Sequence, residues 1–242
     1  MTIREGRDGA LLELAFDRTD KRNALTGAMY DALTGALARA AADDGVRVVL
    51  FRGEGGHFTG GNDLGDFLSS GLGAQPALRF IDALARFEKP MVAAVEGFAV
   101  GIGTTLLLHC DLVYAGATAR FILPFVDLGL VPEAGSSRLL AERIGAQAAA
   151  AMLMLGEPLD APRAAALGLA ELVADGDLHA HARAKAQALA AKPPRALATT
   201  RRLMRGDRGP LEAQIAAEAE AFAAALAGDE AQGALQRFFA RR

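Results

Sequence analysis

The stretch from Met91 to Leu108 constrains this chain more than any other. It is apolar enough to raise the question of a membrane span, yet it carries Glu96 and glycines at 97, 101 and 103. An acid at mid-membrane costs roughly 2.5–3.5 kcal/mol. The pattern predicts instead a buried strand over Met91 to Val95, a glycine turn, and a buried helix over Thr104 to His109.

The same alternation recurs on both sides. Leu11 to Phe16 and Val46 to Phe51 read as strands, the second ending in the glycine-rich Arg52-Gly53-Glu54-Gly55-Gly56. Between them Met29, Leu33 and Leu37 recur every four residues behind Thr26, a helix N-cap, until Asp43-Asp44-Gly45. Leu78, Ile81, Leu84 and Ala85 mark a further helix that ends at Glu88-Lys89-Pro90. Asp111 to Ala115 and Arg120 to Leu123 are short extended pieces. Helices follow over Ser136 to Ile144, Ala146 to Leu155, and Ala161 to Ala166 behind Asp160. The fold class is therefore α/β, with helices dominating the last third.

Lys192-Pro193-Pro194 is the best candidate boundary, dividing a core over 1–192 from a helical region over 193–242. In that region Pro210 opens a helix with Leu211, Ile215, Phe222 and Leu226 on one face, and Leu235, Phe238 and Phe239 extend the apolar stripe. Such a stripe needs cover, which a neighbouring subunit can supply.

Composition narrows the function classes. Of 242 residues, 52% are hydrophobic and 23% charged, with 26 basic and 29 acidic side chains for a net charge of −3. That excludes a disordered chain and argues against a general nucleic-acid binder. The single cysteine, Cys110, allows no intramolecular disulfide, and the first residues contain no leader-like apolar segment, so a reducing cytoplasm is the expected setting.

Two glycine-rich segments each follow a strand: Phe58-Thr59-Gly60-Gly61-Asn62-Asp63-Leu64, and Gly97 through Leu106. They are either tight turns or places where backbone amides point at a ligand. A dinucleotide site fits poorly, because Leu106 stands where the third glycine belongs and Phe121 where the ribose-binding acid belongs. No phosphate-binding Gly-Lys-Ser or Gly-Lys-Thr occurs, and no spacing suggests a metal site. His109 reads as a core group, and His179 and His181 as members of a solvated face. Glu133, after Leu130-Val131-Pro132 and before Ala134-Gly135-Ser136-Ser137, is either a partly desolvated base or an exposed first-turn acid.

Arg22-Asn23-Ala24-Leu25, the Phe58 to Leu64 loop, Ala93 to Leu106, Cys110 to Ala115, and Pro124 through Ser137 together resemble the crotonase superfamily, the enoyl-CoA hydratase/isomerase family. The resemblance runs in order over nearly the whole chain. It implies a spiral core of ββα turns, a C-terminal helical region used in oligomerisation, and homotrimers or hexamers. It also implies an acyl-CoA thioester substrate, no separate cofactor or metal, and an oxyanion hole made by the amides of Asn62 and Ile102. Substrate contacts carry over to Ala24, Thr59, Gly60, Gly61, Asp63, Leu64, Gly103, Thr105 and Phe125. Lys21 and Arg22 fall near the CoA phosphates by the same analogy, or are ordinary solvated charges.

Hydratases of this family place one glutamate after the second glycine turn and another directly after the proline of the next strand. Here those positions hold Thr105 and Phe125. The surrounding residues are similar to the Δ3,Δ2-enoyl-CoA isomerase branch, whose base is the glutamate of a Pro-Glu-x-Gly-Ser-Ser-type stretch and falls on Glu133. The implied activity is the shift of a 3-enoyl double bond to C2 in fatty-acid oxidation. A hydratase and a non-catalytic acyl-CoA-binding protein are the alternatives. Acyl chain length is expected to depend on Gly65 to Leu84, where Ser69-Ser70-Gly71-Leu72-Gly73 reads as a mobile wall.

Overall fold

The computed structural model describes residues 2–69, 75–174 and 176–240, and for 67–69, 238 and 239 the backbone only. The wall expected at 70–73 lies outside the described residues. Strands β1 (Ile3–Asp8) and β2 (Leu11–Phe16) form an antiparallel hairpin, and every residue of β2 is buried. Helix α1 (Gly27–Ala42) starts where expected, its Thr26 hydroxyl accepting from the Met29 amide at 3.3 Å, and it buries Met29, Leu33 and Leu37. Next come β3 (Val48–Gly53), α2 (Leu64–Ser69), α3 (Gln75–Arg86) and β4 (Met91–Val95).

The apolar run from Met91 to Leu108 is broken up by its glycines. β4 is followed by β5 (Phe98–Val100) and by α4 (Ile102–Thr105), which tightens into a 3₁₀ turn over Leu106–His109. The helix begins two residues earlier than expected because Gly101, at φ 53° and ψ −118°, turns the chain sharply enough to start it there. After it come β6 (Leu112–Gly116), β7 (Arg120–Ile122), α5 (Ser136–Ile144), α6 (Ala146–Leu155), β8 (Leu159–Asp160), α7 (Ala161–Ala166) and β9 (Glu171–Val173). No described helix is long and apolar enough to cross a membrane.

These strands build two sheets. The larger runs β1-β2-β3-β4-β6-β9, parallel throughout except for β1. The smaller runs β5-β7-β8, and an isolated parallel bridge between Thr59 and Ala99 adds the first glycine segment beside β5. Each turn of the chain thus visits the large sheet, then the small one, then a helix, which is the expected ββα spiral. Strands flanked on both faces can be wholly apolar, as β4 is, because parallel sheets are covered on both sides.

The last third adds α8 (Leu178–Ala190), α9 (Pro194–Arg205), α10 (Gly209–Ala227) and α11 (Asp229–Ala240). α8 lies on the large sheet through Leu178, Ala182 and Ala186, which corrects the solvated reading of its histidines. His179 Nε2 stands 3.1 Å from Glu96, and His181 meets the Tyr114 ring edge-on at 4.8 Å. Beyond the Lys192-Pro193-Pro194 break, Arg201 reaches both oxygens of Asp111 at 2.8 and 2.9 Å and the Phe87 carbonyl at 2.7 Å, tying α9 to the core. The stripe on α10 finds part of its cover within the chain: Phe222 is buried, and the partly buried Ile215 and Leu226 pack on the same core. Leu235 is buried as well, while the side chains of Phe238 and Phe239 lie outside the described residues.

Candidate active site

The two glycine segments lie side by side. Thr59 N donates to Phe98 O at 2.9 Å and Val100 N to Thr59 O at 3.0 Å. The contact is too close for side chains: a Cβ on Gly61 would sit 2.7 Å from the Val100 carbonyl oxygen, and one on Gly103 would sit 2.6 Å from Thr59 Cγ2. Glycine is required at both positions by the approach itself.

Asn23 locks this arrangement from the third side. Fully buried, its amide nitrogen donates to the carbonyls of Glu54, His57 and Phe58, its side-chain oxygen accepts from Arg18 N, and its own carbonyl accepts from the Thr59 hydroxyl at 2.6 Å. Unpaired buried groups cost about 1–3 kcal/mol each, so Asn23→Ala is expected to destabilise the protein by about 3–5 kcal/mol in urea unfolding. A loss below about 1 kcal/mol would contradict this role.

Among the described residues, neither the Asn62 nor the Ile102 amide donates to another protein group. Ile102 opens α4, where the first amides have no partner inside the helix and carry its positive dipole end. The flanking bonds of Asn62 are made by its neighbours: Leu25 N donates to Gly61 O at 2.7 Å and Asp63 N to Leu25 O at 2.8 Å. Both amides are thus free to donate.

Glu133 is 8% exposed and sits in the loop before α5. Burial pushes its carboxyl up to about 8. The hydrogen bond from the Thr105 hydroxyl at 2.5 Å pulls it the other way, and the Glu218 charge adds to the rise. Thr105 is three residues along α4 from Ile102, an axial distance of about 4.5 Å, so the carboxyl is tied to the helix that presents one of the two amides. Tyr30, buried on α1, donates its hydroxyl to the Asn62 side-chain oxygen. Its own acidity is suppressed first by burial and then by the Glu133 charge, so the phenol stays neutral beside both groups.

The other expected contacts divide. Phe125 is buried in the core and opens a 3₁₀ turn over Val126–Leu128, its carbonyl accepting from the Leu128 and Leu130 amides. Gly60 N donates to Arg22 O at 2.8 Å, so the loop bearing Lys21, Arg22 and Ala24 lies against the first glycine segment. Lys21 is exposed, whereas Arg22 lies over the Phe98 ring, 5.5 Å from its centroid. Leu64 begins α2. The Asp63 carboxylate is committed elsewhere, to Arg18 at 2.6 Å and to the Gly65 and Asp66 amides, so its side chain positions α2. His109 is the core group it was read as: its Nε2 meets Ala134 O at 2.8 Å, and burial draws its pKa down to about 4. Burial likewise pushes the Cys110 thiol up to about 12, which makes it inert.

Three residues at this site escaped the sequence analysis: Asn23 as a latch, Tyr30 and Glu218. Tyr30 follows Met29 in the apolar stripe of α1 and reads as packing. Glu218 falls three residues after Ile215 and four before Phe222, on the buried side of α10, and an acid at that spacing was a signal.

A desolvated carboxylate hydrogen-bonded to the helix that presents a free first amide suits removal of a proton next to a carbonyl whose oxygen such amides receive. The sequence profile of the enoyl-CoA hydratase/isomerase family matches residues 6–242. A probable enoyl-CoA hydratase of Rhodobacter capsulatus is 37% identical, over 90% of this chain and 87% of its own. Enoyl-CoA delta isomerase 2 of Rattus norvegicus is 34% identical over 97% of this chain, which spans 62% of that relative's length. The solved structure of Pseudomonas aeruginosa OdaA superimposes with a TM-score of 0.92 at 46% identity, covering 98% of both chains. The chain is a crotonase-fold member of the enoyl-CoA hydratase/isomerase family, enzymes of acyl-CoA thioesters.

Proposed function

We propose that the protein is a Δ3,Δ2-enoyl-CoA isomerase. The observation that carries this reading is the pairing of one buried carboxylate, Glu133, with a hydroxyl, Thr105, and an apolar ring, Phe125, at the positions where water addition needs acids. Glu133 takes a proton from C2 of a 3-enoyl thioester. The C2 electrons conjugate with the C3 double bond, giving a dienolate whose charge rests on the thioester oxygen. The Asn62 and Ile102 amides receive that charge, each such donor contributing roughly 2.7–4 kcal/mol. The same carboxyl then returns the proton at C4, leaving the double bond at C2. No water enters, so no second acid is needed and buried Phe125 keeps solvent out.

The second reading, a hydratase, is favoured by the name of the Rhodobacter relative. Glu218 does not supply its missing acid, because both its oxygens are occupied by Gly135 and Ser137. Purified protein offered a 3-enoyl-CoA and, separately, a trans-2-enoyl-CoA distinguishes the readings. Isomerase activity predicts conversion of the first and no 3-hydroxyacyl-CoA from the second. Binding of both without turnover favours a non-catalytic binder.

Thr105 also gives a directional test. Its hydroxyl favours the ionised form of Glu133, so Thr105→Val is expected to move the rising limb of kcat/KM from about pH 8 to higher pH. A limb that stays in place would remove Glu133 from the titrating role.

A further inference from the structure

Among the described residues, the mechanism above leaves two buried acids unused, Glu13, which is paired with Arg52 and Arg183, and Glu218. Glu218 on α10 is 6% exposed, and it accepts from Gly135 N at 2.5 Å, from Ser137 N at 3.0 Å and from the Ser137 hydroxyl. These are the open amides at the start of α5. A buried carboxylate is costly unless its lone pairs are filled, and a helix N-terminus fills them well.

Only Ala134 separates Gly135 from Glu133, and the backbone there is forced. Ala134 has φ 60° and Gly135 φ 73°. The left-handed region costs an alanine roughly 1–2 kcal/mol, so neighbours must hold it. His109 holds the Ala134 carbonyl on one side, and Glu218 holds the next amide on the other. The C-terminal helices press on this loop directly: a Cβ on Gly135 would lie 2.5 Å from Leu211 Cδ1, and one on Gly129 would lie 2.6 Å from Ala231 N.

We propose that Glu218 is a positioning residue for Glu133, pinning the loop that aims the base and setting one buried negative charge against another. This rests on the reading of Glu133 as the base, and it makes α10 part of the active site. Glu133 is acted on by the Thr105 hydroxyl from α4 and the Glu218 charge from α10, its own charge acts on neutral Tyr30 from α1, and neutral His109 from the 3₁₀ turn meets the carbonyl of the next residue, Ala134. Arg201 and Arg205, whose charges act on His109, are engaged with Asp111. Glu218 is therefore the neighbour whose charge Glu133 feels.

The test is the ¹³C NMR titration of the Glu133 carboxyl, assigned by its loss in Glu133→Gln. In Glu218→Gln the midpoint is expected to fall by roughly one unit, as the like charge is gone. The kcat for a 3-enoyl-CoA is expected to drop about 10²-fold with little change in KM, since the base is misaimed. Glu218→Asp keeps the charge and withdraws the oxygens, so kcat falls while the midpoint holds. An unmoved midpoint in the glutamine variant overturns the electrostatic link, and full kcat in the aspartate variant overturns the pinning. A midpoint that falls in a protein unable to isomerise would refute the proposed reaction and leave the link standing.

Discussion

Glu133→Gln is expected to lower kcat for a 3-enoyl-CoA by about 10²–10⁴-fold while leaving acyl-CoA affinity nearly unchanged. The amide fills the same buried space and can still accept from Thr105, so the fold has no reason to change. What it cannot do is take a proton from carbon. The same substitution has an opposite effect on stability. The folded carboxyl titrates near 8 and the unfolded one near 4.5, so between those values the folded state holds the extra proton. Stability from this group is fully present below the unfolded value and is lost as pH rises through the folded one. At about 1.4 kcal/mol per unit, the wild type gives up several kcal/mol by pH 9 that the glutamine variant keeps. Thermal unfolding at pH 5 and pH 9 measures this: the variant should gain on the wild type only at the higher pH. Equal shifts at both would mean that Glu133 ionises freely in the folded state.

Gly61→Ala is the second large effect. Gly61 stands at φ 82°, and its added Cβ would lie 2.7 Å from the Val100 carbonyl oxygen, backbone that cannot swing aside. Relief requires the Gly61–Asn62 peptide to turn or the two glycine segments to part, and either takes the Asn62 amide out of line with the thioester oxygen. Losing one such donor lowers kcat about 10²–10³-fold. KM should change far less, because the bond gains its strength only as negative charge develops. Gly6→Ala is the comparison: its Cβ would meet Glu13 Cβ at 3.8 Å, ordinary contact, so its kcat should match the wild type. A Gly61→Ala enzyme with wild-type kcat would remove Asn62 from the oxyanion hole.

Local patterning exposed much of this architecture. Thr26 and Asp160 cap the helices they were expected to cap, and α5, α6 and α7 span the helix-length runs assigned to them. Elements of two or three residues such as β8 and β9 are too short to show a period, and α8 is too rich in alanine to show a strong face. The site was legible in a different way. The two glycine segments stood out as places where backbone approaches something, but that they approach each other depends on the Thr59 to Ala99 bridge, a contact between distant parts of the chain. From its neighbours in sequence alone, Glu133 looked more like an exposed helix-start acid than a base, because what buries it and bonds it, Thr105 on α4 included, comes from the fold. Tyr30 and Glu218 each place one polar group on a face that reads as packing, and only the fold shows what that group meets.

The central claim is that one carboxyl, shielded from water, carries a proton from C2 to C4. Converting a 3-enoyl-CoA deuterated at C2 in ordinary water and locating the label in the product tests it most directly. Deuterium recovered at C4 of the 2-enoyl product is the predicted result. A product whose C4 hydrogen comes entirely from solvent, or that carries a hydroxyl at C3, would contradict the account.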